Sequence, residues 1–369
     1  MRVLQVYKYY YPFLGGIENH LRLLCRELRK YVQVEVLVAN TEPRRAREVV
    51  DGVPVTRVPR FGSVLSTPIA PTFPLWWRRF SADVIHVHLA NPLATFAYEM
   101  VPNSQPLVVT YHMDVVKRPA LCKLYAPFLQ RFLQQAEVIL TTSPRLIETS
   151  PYLQPHRKKC VPVPYGIDTA QFASSTIWAE ATAAVRERYG TPLILFNGRL
   201  VHYKGLDCLL KALKWVDATL ILIGYGELEE PLRNLAERLS LAERVHFLGR
   251  VENHETPAYY HACDLVVLPS VNATEAFGIV QLEAMACGKP VVCTEVGTGT
   301  SWVNQHGVTG LVVPPRDPEA LAEAINTLLA NPDLREEMGR KGRERVEKEF
   351  TKEIMAQRVL EVYREVVGD

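Results

Sequence analysis

No stretch of this chain of 369 residues approaches the roughly 18 consecutive apolar residues that a membrane-crossing helix requires. The opening MRVLQVYKYY returns to polar residues too early for a secretory signal. The seven cysteines, Cys25, Cys122, Cys160, Cys208, Cys263, Cys287 and Cys293, are odd in number, irregularly spaced and without a CxxC pair, which argues against a disulfide framework. No grouping of Cys, His, Asp or Glu has metal-ligand spacing, so neither a metal nor another cofactor is expected. A complete dinucleotide fingerprint is also missing, because GYGE at 224–227 lacks a third glycine and a well-placed ribose-binding acid. These absences disfavour a nicotinamide-dependent oxidoreductase. They lead us to expect a reduced cytoplasmic protein that is neither exported nor membrane-spanning.

What is present is ordinary globular composition, 48% hydrophobic and 22% charged, in a chain too long for one ordinary core. The formal net charge of +2 hides an asymmetry. Residues 1–170 hold 21 Lys+Arg against 12 Asp+Glu, whereas 171–369 hold 21 against 28. A basic half attracts nucleic acid, an anionic membrane surface or a phosphorylated acceptor, or simply reflects solvated helix faces.

Short apolar runs alternate with amphipathic segments. RVLQVY leads through a loop with Gly15 and Gly16 into a helix bearing Ile17, Leu21, Leu24 and Leu28 on one face. VQVEVLVA, PVTRVP, DVIHVH, PLVVTYH and EVILTT continue as strands, with a helix over about 119–136 and another begun by Ser143-Pro144. The pattern breaks after KKCVPVPYGID into a polar stretch read as a linker. A second series then follows: PLILFNG, ATLILIG, RVHFLG, DLVVLPS and KPVVCT. We therefore expect two α/β domains with parallel sheets, 1–170 and 171–350, and a last helix from 351 that returns to the first domain.

In such sheets ligands bind beyond the carboxyl ends of strands, so the loops there carry the candidate residues. Gly15 and Gly16 either let a backbone approach a phosphate or sugar, or merely make a tight turn. In FNGRLVHYKG, Arg199 and Lys204 are fixed cations suited to a pyrophosphate, the alternative being two surface charges. In ATEAFGIVQLEAMACGKPVV, Glu275 in a loop and Glu283 in the following helix can serve two polar ends of one ligand, with the N–H groups around Gly278 and Ile279 meeting a phosphate between them. An acid pair for hydrolysis is the weaker alternative. His112 and Asp114 follow a strand and suit a sugar or acceptor contact, whereas His86 and His88 read as core. Gly224 lies in a loop that suits a base pocket, and TEVGTGTS at 294–301 either touches phosphate or turns the chain.

From PFLGGIE through YHMD, VPYGID, NGRLVHYKG and the EX7E element to TGLVVPPRDPEALA, the chain resembles the retaining GT-B glycosyltransferases of family 4. The resemblance implies two Rossmann-like domains facing a cleft. It implies a metal-independent enzyme that moves a hexose from a UDP- or GDP-sugar to a sugar or lipid-linked acceptor, with no role for nucleic acid. On that reading Arg199 and Lys204 hold the diphosphate, beside Asn197 and Gly198 of the same loop. Glu275 and the backbone of Phe277, Gly278, Ile279 and Val280 hold sugar and phosphate. Glu283 binds the ribose, His112 the transferred sugar, Gly15 and Gly16 the phosphate and acceptor, and Arg250 with Val251 the base. Attack on the front face, with the leaving phosphate taking the acceptor's proton, leaves positioning and charge stabilisation to the protein. One departure from the pattern is Val296-Gly297-Thr298-Gly299, where many members of that family carry Gly-Gly. A nucleotide-sugar epimerase or a non-catalytic binding protein on the same fold are the alternatives. Trp76-Trp77 beside Arg78-Arg79, and the segment KRPALCKLYAPFLQRFLQ, suit peripheral attachment to an anionic membrane surface, against the plain reading that the tryptophans are core.

Overall fold

The computed structural model describes residues 1–13, 15–64, 67–101, 104–114, 119–172 and 176–368, without the side chains of 119–122. Leu121 and Cys122 of the expected helix therefore lie outside the described side chains. The chain divides into two compact units, residues 1–166 with 352–369, and residues 167–351. The first division falls four residues before the expected boundary and the second one residue after it.

The strands of the first unit are β1 (Arg2–Val6), β2 (Gln33–Ala39), β3 (Ala46–Val50), β4 (Val53–Val58), the short hairpin β5 (Ser63–Val64) and β6 (Thr67–Pro68), β7 (Val84–Leu89), β8 (Leu107–Tyr111), β9 (Val138–Thr141) and β10 (Cys160–Pro162). The main sheet has the order β10-β9-β8-β7-β1-β2-β4-β3. Its pairings are parallel except the outer β3 with β4. All six residues of β7 are buried, as a strand covered on both faces demands. Sequence reading missed β3, whose AREVV is solvent-facing and charged, as well as the hairpin and the three-residue β10.

The helix Gly16–Leu28 and the C-terminal helix Lys352–Val367 cover one face of this sheet. Leu21, Leu24 and Leu28 share a core with Met355, Ala356, Val359, Leu360 and Tyr363, so the last helix belongs to the first unit. Burying each such aliphatic side chain stabilises by about 1.5–3 kcal/mol. Ser143 caps the helix Pro144–Thr149, its hydroxyl accepting from the Leu146 amide at 3.2 Å.

The second unit contains β11 (Leu193–Asn197), β12 (Thr219–Ile223), β13 (Val245–Gly249), β14 (Leu265–Leu268), β15 (Val291–Thr294) and β16 (Gly310–Val313). Their order is β13-β12-β11-β14-β15-β16, parallel throughout. Helices lie at Leu206–Ala212, Glu229–Arg238, Thr256–Ala262, Ile279–Ala286, Pro318–Ala330 and Pro332–Glu349. The linker stretch includes the α-helix Ala179–Tyr189, which has no buried residue. The six described cysteines are all unbridged.

Burial keeps four histidines of the first unit uncharged. The pKa values of His20 and His86 are lowered to about 3, and those of His88 and His112 fall well below the usual imidazole range, all chiefly by desolvation. An unfolded chain binds protons at these rings below about pH 6.5, whereas the folded chain does not. Their stabilising contribution is therefore complete above pH 6.5 and is lost progressively as pH falls towards 3. Urea unfolding at pH 7.5, 6.5 and 5.5 should give a falling midpoint through the last interval; a flat or rising midpoint contradicts this account.

Candidate functional site

In the second sheet the chain runs from β11 outward through β12 to β13 on one side, and from β14 outward through β15 to β16 on the other. Loops that follow β11 and β14 thus diverge and leave a crevice at the switch point. The loop after β11 carries Gly198, Arg199 and Lys204, with Asn197 as the last residue of the strand. The segment after β14 carries Ser270 and Glu275 and then starts the helix Ile279–Ala286.

Lys204 and Glu275 are each only 7% exposed and form an ion pair at 2.5 Å. Burial alone would lower the Lys204 pKa, but the Glu275 carboxylate and Tyr203 outweigh it, and the value is raised. Lys204 is therefore a fixed ammonium. Ser270 donates to the same Glu275 oxygen at 3.0 Å, and Thr298 donates to the Glu275 carbonyl at 2.5 Å. The Gly299 amide donates to the Ala276 carbonyl at 2.9 Å. Loop 294–301 thus braces the Glu275 segment. Arg199 differs from Lys204: it is exposed, and its guanidinium makes no ion pair among the described residues.

Glu283 is half-buried and accepts from the Tyr260 hydroxyl at 2.6 Å, which in turn accepts from the Asn197 amide at 3.1 Å. Burial raises the Glu283 pKa, and the bond from Tyr260 opposes the rise. Between the two carboxylates, Gly278 adopts φ 76°, and a Cβ there would lie 2.5 Å from a Leu268 methyl. Only glycine fits this turn. It starts the helix on which Ile279 and Val280 present amides without an intrahelical acceptor.

Gly224 has a packing reason of its own, since a Cβ would lie 1.9 Å from the Gly198 carbonyl oxygen. It lets the loop after β12 close against the loop after β11. Arg250 is exposed and pairs with Glu252 at 3.2 Å, with Val251 half-buried beside it.

The first unit gathers a different set. Gly15 and Gly16 open the helix Gly16–Leu28, with no side-chain cap. Neither lies at positive φ; a Cβ at Gly16 meets nothing within 4 Å, and one at Gly15 meets only the flexible end of Glu18. A strained turn therefore does not account for this glycine pair. His112, 1% exposed, uses both ring nitrogens, Nδ1 with the Tyr165 hydroxyl at 2.6 Å and Nε2 with His88 at 3.0 Å. Asp114 is occupied too, accepting from Tyr111 at 2.7 Å and from Ser150 at 2.6 Å. His86 and His88 are fully buried.

His20, His88 and His112 bring one ring nitrogen each within 4.8 Å of the others, a grouping with the donor chemistry of a metal site. Linear spacing concealed it, because the three come from a helix start and from two neighbouring strand ends. His88 and His112 satisfy each other, and His20 Nδ1 has no partner. Sequence reading missed His20, Gln5, Tyr165, Tyr260 and Ser270 as site groups, although Tyr165 lies within the VPYGID segment. Only the alternation of side chains along a strand hinted at Gln5.

Of the two tryptophans expected at a membrane surface, Trp77 is instead core. It is 2% exposed and packs with Phe73 and Tyr98, while Trp76 lies between the Arg45 and Arg79 guanidinium groups at 4.7 and 4.2 Å. No helix among the described residues is long and apolar enough to cross a membrane.

Residues 180–345 match the family "Glycosyl transferases group 1", and residues 15–166 match a "Glycosyl transferase 4-like domain". The chain is 36% identical to the D-rhamnosyltransferase WbpZ of Pseudomonas aeruginosa, over 95% of this chain and 92% of that one. It is 32% identical to O-antigen chain mannosyltransferase C of Escherichia coli, over 98% of each. A solved sucrose-phosphate synthase from Thermosynechococcus elongatus superposes with a TM-score of 0.85 at 24% identity, over 100% of this chain and 99% of that one. With paired Rossmann-like sheets and these matches, the chain belongs to the family 4 glycosyltransferases of GT-B fold.

Proposed function

We propose that this glycosyltransferase moves a manno-configured hexose from a UDP- or GDP-sugar to a hydroxyl of a membrane-linked glycan, with retention and without a metal. The buried Lys204–Glu275 pair carries this reading. A buried ammonium held at one oxygen of a carboxylate keeps its remaining donors for an incoming anion, and an exposed Arg199 adds a fork for the second phosphate. Glu283, set by Tyr260, suits the ribose hydroxyls, and the amides of Gly278, Ile279 and Val280 suit a phosphate. Phe277 and Gly278 hold the sugar beside Glu275, Asn197 and Gly198 border the diphosphate, Gly224 lies near the base, and Arg250 with Val251 flank it. In the first unit, His112, Gly15 and Gly16 suit sugar and acceptor hydroxyls.

The relatives support the choice of donor sugar. D-rhamnose is 6-deoxy-D-mannose, so a rhamnosyltransferase and a mannosyltransferase share one configuration at the ring carbons they recognise. The name of the second relative, an O-antigen chain enzyme, supports a growing glycan as acceptor. Bond making and breaking occur on one face of the sugar: the C1–O bond to the diphosphate opens, the acceptor oxygen bonds to C1, and its proton passes to the departing phosphate. Asp114, already shared by Tyr111 and Ser150, is not needed as a base.

Attachment to an anionic leaflet is part of the proposal, but through other residues than the tryptophans. Leu124 and Phe128 are 71% and 51% exposed one helical turn apart, with the Phe96 ring tilted against that of Phe128 at 5.2 Å between centroids. Arg131 lies one further turn along. An exposed apolar ridge with a cation beside it suits the headgroup boundary.

Three outcomes test these assignments. In a thermal-shift series with UDP-, GDP- and ADP-sugars, a manno-configured UDP or GDP donor should raise the melting temperature most, since a ligand of the folded state stabilises by mass action; indifference to all of them removes the donor assignment. Lys204→Ala and Glu275→Gln should each lower kcat by about a hundredfold or more while the protein stays folded, and near wild-type turnover in either means that the diphosphate is held elsewhere. Flotation with vesicles containing anionic lipid should recover the wild type at low salt and lose the double variant Leu124→Glu, Phe128→Glu. Equal recovery of both would show that this ridge is not the contact.

A further inference from the structure

His112 stands at one end of a file of buried polar side chains that runs across the first sheet to the C-terminal helix. The Tyr165 hydroxyl meets His112 Nδ1 at 2.6 Å, and His112 Nε2 meets His88 Nδ1 at 3.0 Å. His88 Nε2 meets Gln5 Oε1 at 2.9 Å, and Gln5 Nε2 meets the Tyr363 hydroxyl at 2.7 Å. Tyr363 meets His86 Nδ1 at 2.6 Å, and His86 Nε2 meets the Thr110 hydroxyl at 2.6 Å. Every member is less than 9% exposed.

We propose that Gln5 and Tyr363 are positioning residues which, through this unbroken file of hydrogen bonds, fix which ring nitrogen of His112 carries the proton. A neutral imidazole has one N–H and one lone pair, so each ring passes on the direction of the bond it receives. Gln5 Oε1 only accepts, so His88 Nε2 must donate and His88 Nδ1 must accept. His112 Nε2 then donates, and His112 Nδ1 holds the lone pair that Tyr165 donates to. At the other end, the Gln5 amide donates to Tyr363, Tyr363 to His86, and His86 to Thr110.

Only two proton arrangements satisfy all seven members, one the reverse of the other, and the side-chain amide of Gln5 selects between them. Reversing one bond alone leaves a buried donor or acceptor without a partner, which costs about 1–3 kcal/mol. The file therefore acts as a unit, in the manner of other polar networks at low dielectric.

The consequence lies at His112 Nδ1. A hydroxyl that replaced Tyr165 there would meet an acceptor, so the site is set to receive a hydrogen bond from a sugar hydroxyl and to refuse a carbonyl. This consequence rests on the role given to His112 above; the tautomer assignment does not.

Histidine side chains labelled with ¹⁵N report the tautomer directly. In the wild type, His86, His88 and His112 should all appear as neutral Nε2–H rings. Tyr363→Phe removes one oxygen and cuts the file between Gln5 and His86, so His88 and His112 should show both tautomers. Thr110→Val leaves Gln5 and Tyr363 intact but deprives the His86 Nε2–H of its acceptor, and should drive the three rings together towards the Nδ1–H form. With donor and acceptor supplied, kcat should fall about three- to tenfold in both variants with KM for the donor within about twofold. A change confined to His86, or wild-type rings in the Nδ1–H form, overturns the proposal even if no transfer activity is found. Shifted tautomers with unaltered kcat would overturn the consequence for catalysis alone.

Discussion

A charge taken out of water must find its compensation within reach, and Lys204 finds it at Glu275. An isolated buried ammonium would shed its proton, whereas this one is held charged by a carboxylate that is itself fixed by Ser270 and, through its backbone, by Thr298. The threonine in the loop after β15 thereby has a structural task of its own. The arrangement also sets the separation between the ammonium and the helix start at Gly278. Two sources of positive potential, one a full charge and one a row of amides, are thereby placed on rigid supports before any ligand arrives.

The two units solve different problems with one architecture. At the switch point of the second sheet, charges and open amides predominate, as recognition of a phosphate-bearing ligand requires. The corresponding strand ends of the first sheet hold neutral imidazoles, a buried glutamine and tyrosines, kept uncharged by burial. Polarity without charge suits hydroxyl groups, whose hydrogen bonds are directional and cost little to exchange.

Much of this was legible in the linear chain. Continuous apolar runs such as VIHVHL mark strands covered on both faces, and the alternation with helices fixes the parallel sheets. The spacing from Glu275 to Glu283 located the junction at Gly278, because a glycine followed by a helical pattern marks such turns. Less was legible where structure depends on distant partners. AREVV pairs antiparallel at an edge and is charged because nothing covers it, so no apolar period announces it. Trp77 looked like an anchor beside two arginines, but its neighbours in space are Phe73 and Tyr98, and the cations lie against Trp76. His20, His88 and His112 meet only because strand ends and a helix start converge, and that convergence leaves no mark in their spacing.

The first unit is made of two segments, 1–166 and 352–369, with 167–351 interposed. During synthesis, the helix that carries Tyr363 leaves the ribosome only after the whole second unit. At about 5–20 residues per second, the first sheet waits on the order of ten to forty seconds for its covering helix and for the partner of Gln5. Throughout that interval Leu21, Leu24 and Leu28 lack the side chains that finally enclose them. The second unit, continuous in sequence, needs no such later segment to complete its core.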